Sequence, residues 1–175
     1  MRQHVVSALV ENRAGTLSRV SGLFARRGFN IDSLTVGETE DRSVSRMTIA
    51  VTGDDAVLEQ IVKQLEKLVD VIAVRELDSA LCLRREILLV KVRASEKTRP
   101  GVLQIANIFR SRVVDVSRTT VTIEATGDME KLNGLLMLLS SQGIIELART
   151  GMVALERGAR ALTIQSVKRK AASKA

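Results

Sequence analysis

Between His4 and Val10 the chain is almost continuously apolar, which reads as a buried strand. Residues 11–16 are mostly polar, and Leu17, Val20, Leu23 and Phe24 then follow at helical spacing. This pattern predicts a helix over residues 17–27, stopped by Gly28, with Arg26 and Arg27 at its C-terminal end. Residues 29–37 predict a second strand and the polar residues 38–43 a hairpin loop. A third strand follows over 44–51, with Met47, Ile49 and Val51 alternating on one face. Gly53 and Asp54 end it and cap a helix striped by Val57, Leu58, Ile61, Val62, Leu65 and Leu68. Residues 69–77 predict a fourth strand, so the order is βαββαβ, the ferredoxin-like arrangement.

The plan then recurs. Residues 86–94 predict a strand and 95–101 a loop holding the only proline, Pro100. A helix over 102–110 places Val102, Ile105, Ala106 and Phe109 on one side. Strands over 113–116 and 121–125, a helix striped by Leu132, Leu135, Leu136 and Leu139, and a strand over 144–147 complete it. Thr126, Gly127 and Asp128 repeat Thr52, Gly53 and Asp54 at the same point. Gly15 to Gly53 spans 38 residues and Gly101 to Gly127 spans 26, so the second copy is shorter, with the loss expected in its second and third strands and their hairpin. The predicted class is α+β, with two tandem ferredoxin-like domains over 1–78 and 86–160. Residues 79–85, including Cys82, form the expected linker, and 161–175 an expected basic, disordered tail. A single mixed α/β domain is the alternative.

Composition narrows the function. Phe24, Phe29 and Phe109 are the only aromatic residues, so the core must be aliphatic. One cysteine excludes an internal disulfide and makes a reducing cytoplasm the natural setting. No stretch reaches the roughly 18 to 20 apolar residues of a membrane span, and residues 1–4 lead into a strand without a signal-peptide core, so no membrane partner is expected. The net charge of +7 lies mostly in residues 151–175, where six Lys and Arg meet one Glu. Such a terminal tail reads as a solvated end. RNA-binding βαββαβ modules stack bases on aromatic strand residues. The matching strands here have none, so no nucleic-acid partner is expected.

No catalytic constellation emerges. His4, the only histidine, has no ligand cluster at metal spacing and reads as a surface or strand-end residue. Cys82 has no histidine to activate it, and Gly15 stands outside any G-x-G-x-x-G motif. The stretch with chemistry is the strand-to-helix turn at residues 12–16. Asn12 offers a side-chain amide and carbonyl, and Gly15 lets a ligand approach the backbone. The N–H groups of Gly15, Thr16 and Leu17 stand at a helix start, a position that suits a carboxylate. The same residues also suit a plain structural corner, with Asn12 as helix cap.

Residues 11–20 (ENRAGTLSRV) resemble the start of an ACT domain. Together with 27–37 (RGFNIDSLTVG), 45–49 (SRMTI), 64–71 (QLEKLVDV), 85–92 (REILLVKV) and 146–151 (ELARTG), they resemble the small, regulatory subunits of acetolactate synthase, also called acetohydroxyacid synthase. The resemblance spans about residues 2–160. It implies a non-catalytic, cytoplasmic subunit of a transferase complex, dimeric through its ACT domain. The catalytic large subunit would hold thiamine diphosphate, magnesium and FAD; this subunit would hold no cofactor or metal. It would raise the large subunit's activity in branched-chain amino-acid biosynthesis and confer feedback inhibition, typically by valine. Valine, leucine and isoleucine stay open as effectors. In this family the effector lies between two ACT domains. The resemblance assigns Asn12, Gly15, Thr16 and Leu17 to one side and Asn30 and Ile31 of the neighbour to the other. Residues 96–101 lack the Asn-x-x-Gly pattern, which confines the expected site to the first domain. The alternative is a free-standing ACT-type sensor acting on another enzyme or on transcription.

Overall fold

A computed structural model describes residues 2–78 and 80–165, and the chain divides into two compact units. The first opens with β1 (Arg2–Glu11), α1 (Thr16–Arg26), β2 (Ser33–Glu38), β3 (Val44–Gly53), α2 (Asp55–Leu65) and β4 (Val71–Leu77). These strands form an antiparallel sheet in the order β2-β3-β1-β4. β1 pairs with β3 from Arg2 opposite Gly53 to Glu11 opposite Val44. As a central strand buried on both faces, β1 needs apolar residues at consecutive positions, which accounts for its nearly unbroken run. Val6, Ala8 and Val10, with Met47, Ile49 and Val51, pack under Val20, Leu23 and Phe24 of α1 and Leu58, Ile61 and Leu65 of α2. Asp54 caps α2, its Oδ1 accepting from the Val57 N–H at 2.8 Å.

Two features differ from the sequence reading. β2 begins at Ser33, because residues 29–32 leave the helix through Gly28 at φ 69° and pack as a loop. Phe29 donates its N–H to the Phe24 carbonyl and sets its ring edge-on to Phe24 at 6.4 Å. Its apolar character serves the core and makes no ladder, a distinction that periodicity cannot draw. His4 is buried, not superficial: its Nδ1 lies 3.3 Å from Glu76 Oε1.

The second unit, Arg84–Gly151, repeats the topology. It contains most of β5 (Cys82–Arg93), then α3 (Arg99–Ile108), β6 (Arg112–Val116), β7 (Thr120–Gly127), α4 (Met129–Ser140) and β8 (Ile144–Arg149), with sheet order β6-β7-β5-β8. Leu88, Val90, Val92, Val121 and Ile123 meet Val102, Ala106, Leu132, Leu135 and Leu139 in its core. Asp128 caps α4 as Asp54 caps α2, accepting from the Lys131 N–H at 2.9 Å. The glycine before each cap has a steric cause. A Cβ on Gly53 would meet Val57 Cγ1 at 3.0 Å, and one on Gly127 would meet Lys131 Cδ at 2.6 Å.

The expected shortening falls in the strands and hairpin, since β6 has 5 residues against 6 in β2 and β7 has 8 against 10 in β3. It falls also in the helix-to-strand connection, 109–111 here against 27–32 in the first unit. Gly101 is not the counterpart of Gly15: it lies inside α3, whose N-cap is Thr98.

The last described segment changes the domain boundaries. β9 (Val153–Glu156) and the described residues after it, 157–165, belong to the first unit, and β5 starts at Cys82, inside the expected linker. Met152 and Ala154 pack with Val5, Leu77 and Cys82, and Leu162 packs with Leu9 and Val44. Arg46 donates to Ser7 Oγ at 2.9 Å and to the Leu162 carbonyl at 2.6 Å, and Arg75 pairs with Glu156 at 2.5 Å. These residues cover the sheet face away from α1 and α2, which would otherwise expose Val5, Leu9 and Val44 to water. Residues 161–165 of the expected tail therefore join the first unit, while 166–175 lie outside the described residues.

Candidate effector site at the first strand-to-helix corner

The corner is built by backbone bonds that end β1 and start α1. Glu11 donates its N–H to the Asp70 carbonyl and Asn12 to the Ser43 carbonyl, both at 2.8 Å. Gly15 is the N-cap of α1 at φ 88°, a left-handed conformation that disfavours any residue with a Cβ. The Thr16 N–H closes the turn onto the Arg13 carbonyl at 3.3 Å. The Gly15 and Leu17 amides have no backbone acceptor among the described residues, so two of the three candidate donors stand open. Thr16 is buried, its Oγ1 without a hydrogen-bond partner among those residues. Leu17 is exposed at 46%, an apolar side chain held out beside the open amides.

Asn12 does not cap the helix. Its Nδ2 donates to Glu38 Oε1 at 3.1 Å and to the Arg42 carbonyl at 2.9 Å, tying the corner to the β2–β3 hairpin. Its side-chain oxygen makes no hydrogen bond among the described residues.

Sequence reasoning missed Arg13, Arg19 and Asp70. The Asp70 carboxylate, buried in the loop just before β4, accepts from Arg13 Nε at 2.9 Å and also pairs with Arg19 Nε. Arg13 additionally pairs with Glu11 at 3.0 Å. The Arg13 hydrogen bond, with further help from Arg19, holds the Asp70 carboxyl below its ordinary value of 3.8. No local signal marks this cluster, because 57 residues separate Arg13 from Asp70.

Asn30 and Ile31 are not brought to the corner within one chain. They follow α1, whose 11 residues span about 16 Å. They sit toward the Ser33 end of β2, whereas Asn12 bonds Glu38 at the other end. Asn30 Nδ2 donates to Asp32 Oδ1 at 3.0 Å, and Ile31 packs partly on the core. A cavity of about 300 Å³ lined by Arg2, Gln3, His4, Glu76, Leu77 and Asp78 lies by the start of β1, away from the corner. Among the described residues no cluster of His, Cys, Asp and Glu could hold a metal ion, and no helix is long and apolar enough to cross a membrane.

Comparison with known proteins matches both halves. Residues 6–73 match the family described as "AHAS small subunit-like ACT domain", and residues 85–158 match "Small subunit of acetolactate synthase". The acetolactate synthase small subunit of Mycolicibacterium smegmatis is 51% identical over 159 residues, covering 91% of this chain and 94% of its own. That of Aquifex aeolicus is 48% identical over 158 residues, covering 90% of this chain and 82% of its own. The crystal structure of the acetolactate synthase small subunit from Thermotoga maritima matches with a TM-score of 0.86 at 44% identity, over 91% of this chain and 100% of that one. With an ACT-type first unit, a shortened second unit and near-complete alignment to these relatives, the chain belongs to the family of acetolactate synthase small subunits.

Proposed function

We propose that this chain is a non-catalytic regulatory subunit that raises the activity of an acetolactate synthase large subunit and makes it inhibitable by a branched-chain amino acid, with valine as the leading effector. The observation that carries the reading is the Gly15 corner, where two backbone amides stand open beside an exposed Leu17. Amides at a helix start favour a carboxylate, and Leu17 offers contact to an aliphatic side chain. The second unit supports placing the effector in the first alone. Its corner has Thr98 in place of a left-handed glycine, and its 109–111 connection omits the stretch equivalent to Asn30 and Ile31.

The wide separation of Asn30 and Ile31 from the corner supports a site completed by a second copy of the ACT domain. Dimerisation is then part of sensing, and effector binding and large-subunit binding must be linked reciprocally. The thiamine diphosphate, magnesium and FAD of the reaction belong in this reading to the large subunit. Binding of nucleic acid is disfavoured because the sheet face on which such modules stack bases is covered here by Met152, Ala154 and Leu162.

The test is reconstitution with the large subunit. The wild-type chain should raise its turnover, and valine should inhibit the reconstituted enzyme. Gly15→Asp places a side chain at φ 88° and fills the corner, so it should abolish valine inhibition while leaving activation largely intact. No activation by the wild-type chain, or undiminished valine sensitivity in the variant, would overturn the reading.

A further inference from the structure

Resting on the effector reading above, we propose that Arg19 is a ligand for the α-carboxylate of the bound amino acid and that Asp70 is the residue that positions it. Arg19 lies one helical turn after Gly15 and donates its backbone N–H to the Gly15 carbonyl at 3.0 Å. Its side chain runs back toward the helix start, as helical side chains do. Its Nη2 ends 3.6 Å from the point a Gly15 Cβ would occupy. The guanidinium thus overhangs the glycine whose neighbouring amides stand open.

The way the guanidinium is held leaves its binding edge available. An arginine has five N–H donors, and Asp70 engages Arg19 through Nε. The Nη1 and Nη2 donors have no acceptor among the described residues, and the side chain is half exposed. Those two nitrogens form the end-on fork that grips a carboxylate through two parallel bonds. Arg13 differs: both Asp70 and Glu11 already answer it. Asp70 is suited to positioning because its side chain is only 4% exposed and cannot swing away. Its backbone carbonyl also accepts from Glu11, fastening it to the end of β1. A carboxylate ligand would then bridge the Arg19 fork and the open Gly15 and Leu17 amides. The recognised class is a free α-amino acid, not its amide or amine.

The experiment is calorimetric titration of the full-length chain with L-valine and L-valinamide, which lacks the charged carboxylate. Wild type should prefer valine. Arg19→Gln should weaken valine binding about 10- to 100-fold and leave valinamide affinity unchanged. Arg19→Lys keeps the charge without the fork and should fall between the two. In an Asp70→Asn background the Arg19→Gln effect should shrink, because an unpositioned arginine has less to lose. Unchanged valine affinity in Arg19→Gln, or an equal loss for valine and valinamide, would overturn the assignment. An Arg19→Gln effect undiminished in the Asp70→Asn background would remove Asp70 from it. If wild type binds neither valine, leucine nor isoleucine, the effector reading itself fails, an outcome distinct from a wild type that binds valine without using Arg19.

Discussion

Asp70 shows how one buried carboxylate can organise a corner made of residues far away in sequence. Burial disfavours its charged form, yet the Arg13 and Arg19 guanidiniums outweigh that cost, so its carboxyl stays ionised to lower pH than an ordinary aspartate. A native value below the unfolded value of 3.8 means that the unfolded chain takes up the proton first. The stabilisation is therefore complete above about pH 5 and lost as pH falls through the native value. Denaturant unfolding across pH 2 to 6 should show a steeper acid loss for wild type than for Asp70→Asn. Identical acid limbs would mean that this carboxylate is not coupled to folding. Neither Asp70 nor its arginines stood out in the sequence, where each is one charge among many. Gly15 did stand out, because a glycine between a strand pattern and a helix pattern has few other uses.

At the scale of elements, the two units use the same device to start their second helices. Asp54 and Asp128 each accept from the N–H three residues on, after a glycine that lets the helix pack against the strand end. Asp54→Ala should cost about 1 kcal/mol of unfolding free energy, with Asn in its place keeping most of it. Urea unfolding reads this directly, and a neutral Asp54→Ala would show that the cap contributes nothing. The Thr-Gly-Asp repeat made this legible beforehand because capping is local chemistry. The helix-to-strand connections were less legible. Phe29 and Ile31 read as strand residues but are packed loop residues, since an apolar run reports burial and not backbone conformation. That connection also differs between the units: six residues in the first, three in the second.

At the scale of the whole molecule, residues 152–165 complete the first unit. Leu162 is buried against Leu9 and Val44, so Leu162→Ala should destabilise the protein by about 2–3 kcal/mol. A solvated tail would lose less than about 0.5 kcal/mol on the same substitution. Thermal or urea unfolding of the full chain separates the two. The sequence carried a faint signal of this return, since Met152, Val153, Ala154 and Leu155 form a short apolar run. A four-residue apolar run is consistent with a strand, but it does not say which sheet that strand serves.

The sequence by itself determined the order of β1 to β8 and α1 to α4, the doubling of the fold, the Asp54 and Asp128 caps and the glycine corner, because periodicity, capping and turn chemistry act between near neighbours. Only the tertiary structure decided which residues share the corner, which face of the first sheet is covered and where the units begin and end. Asp70 meets Arg13 across 57 residues, and Arg46 meets Leu162 across 116. Contacts of that kind depend on how the whole chain packs, and no local pattern specifies them.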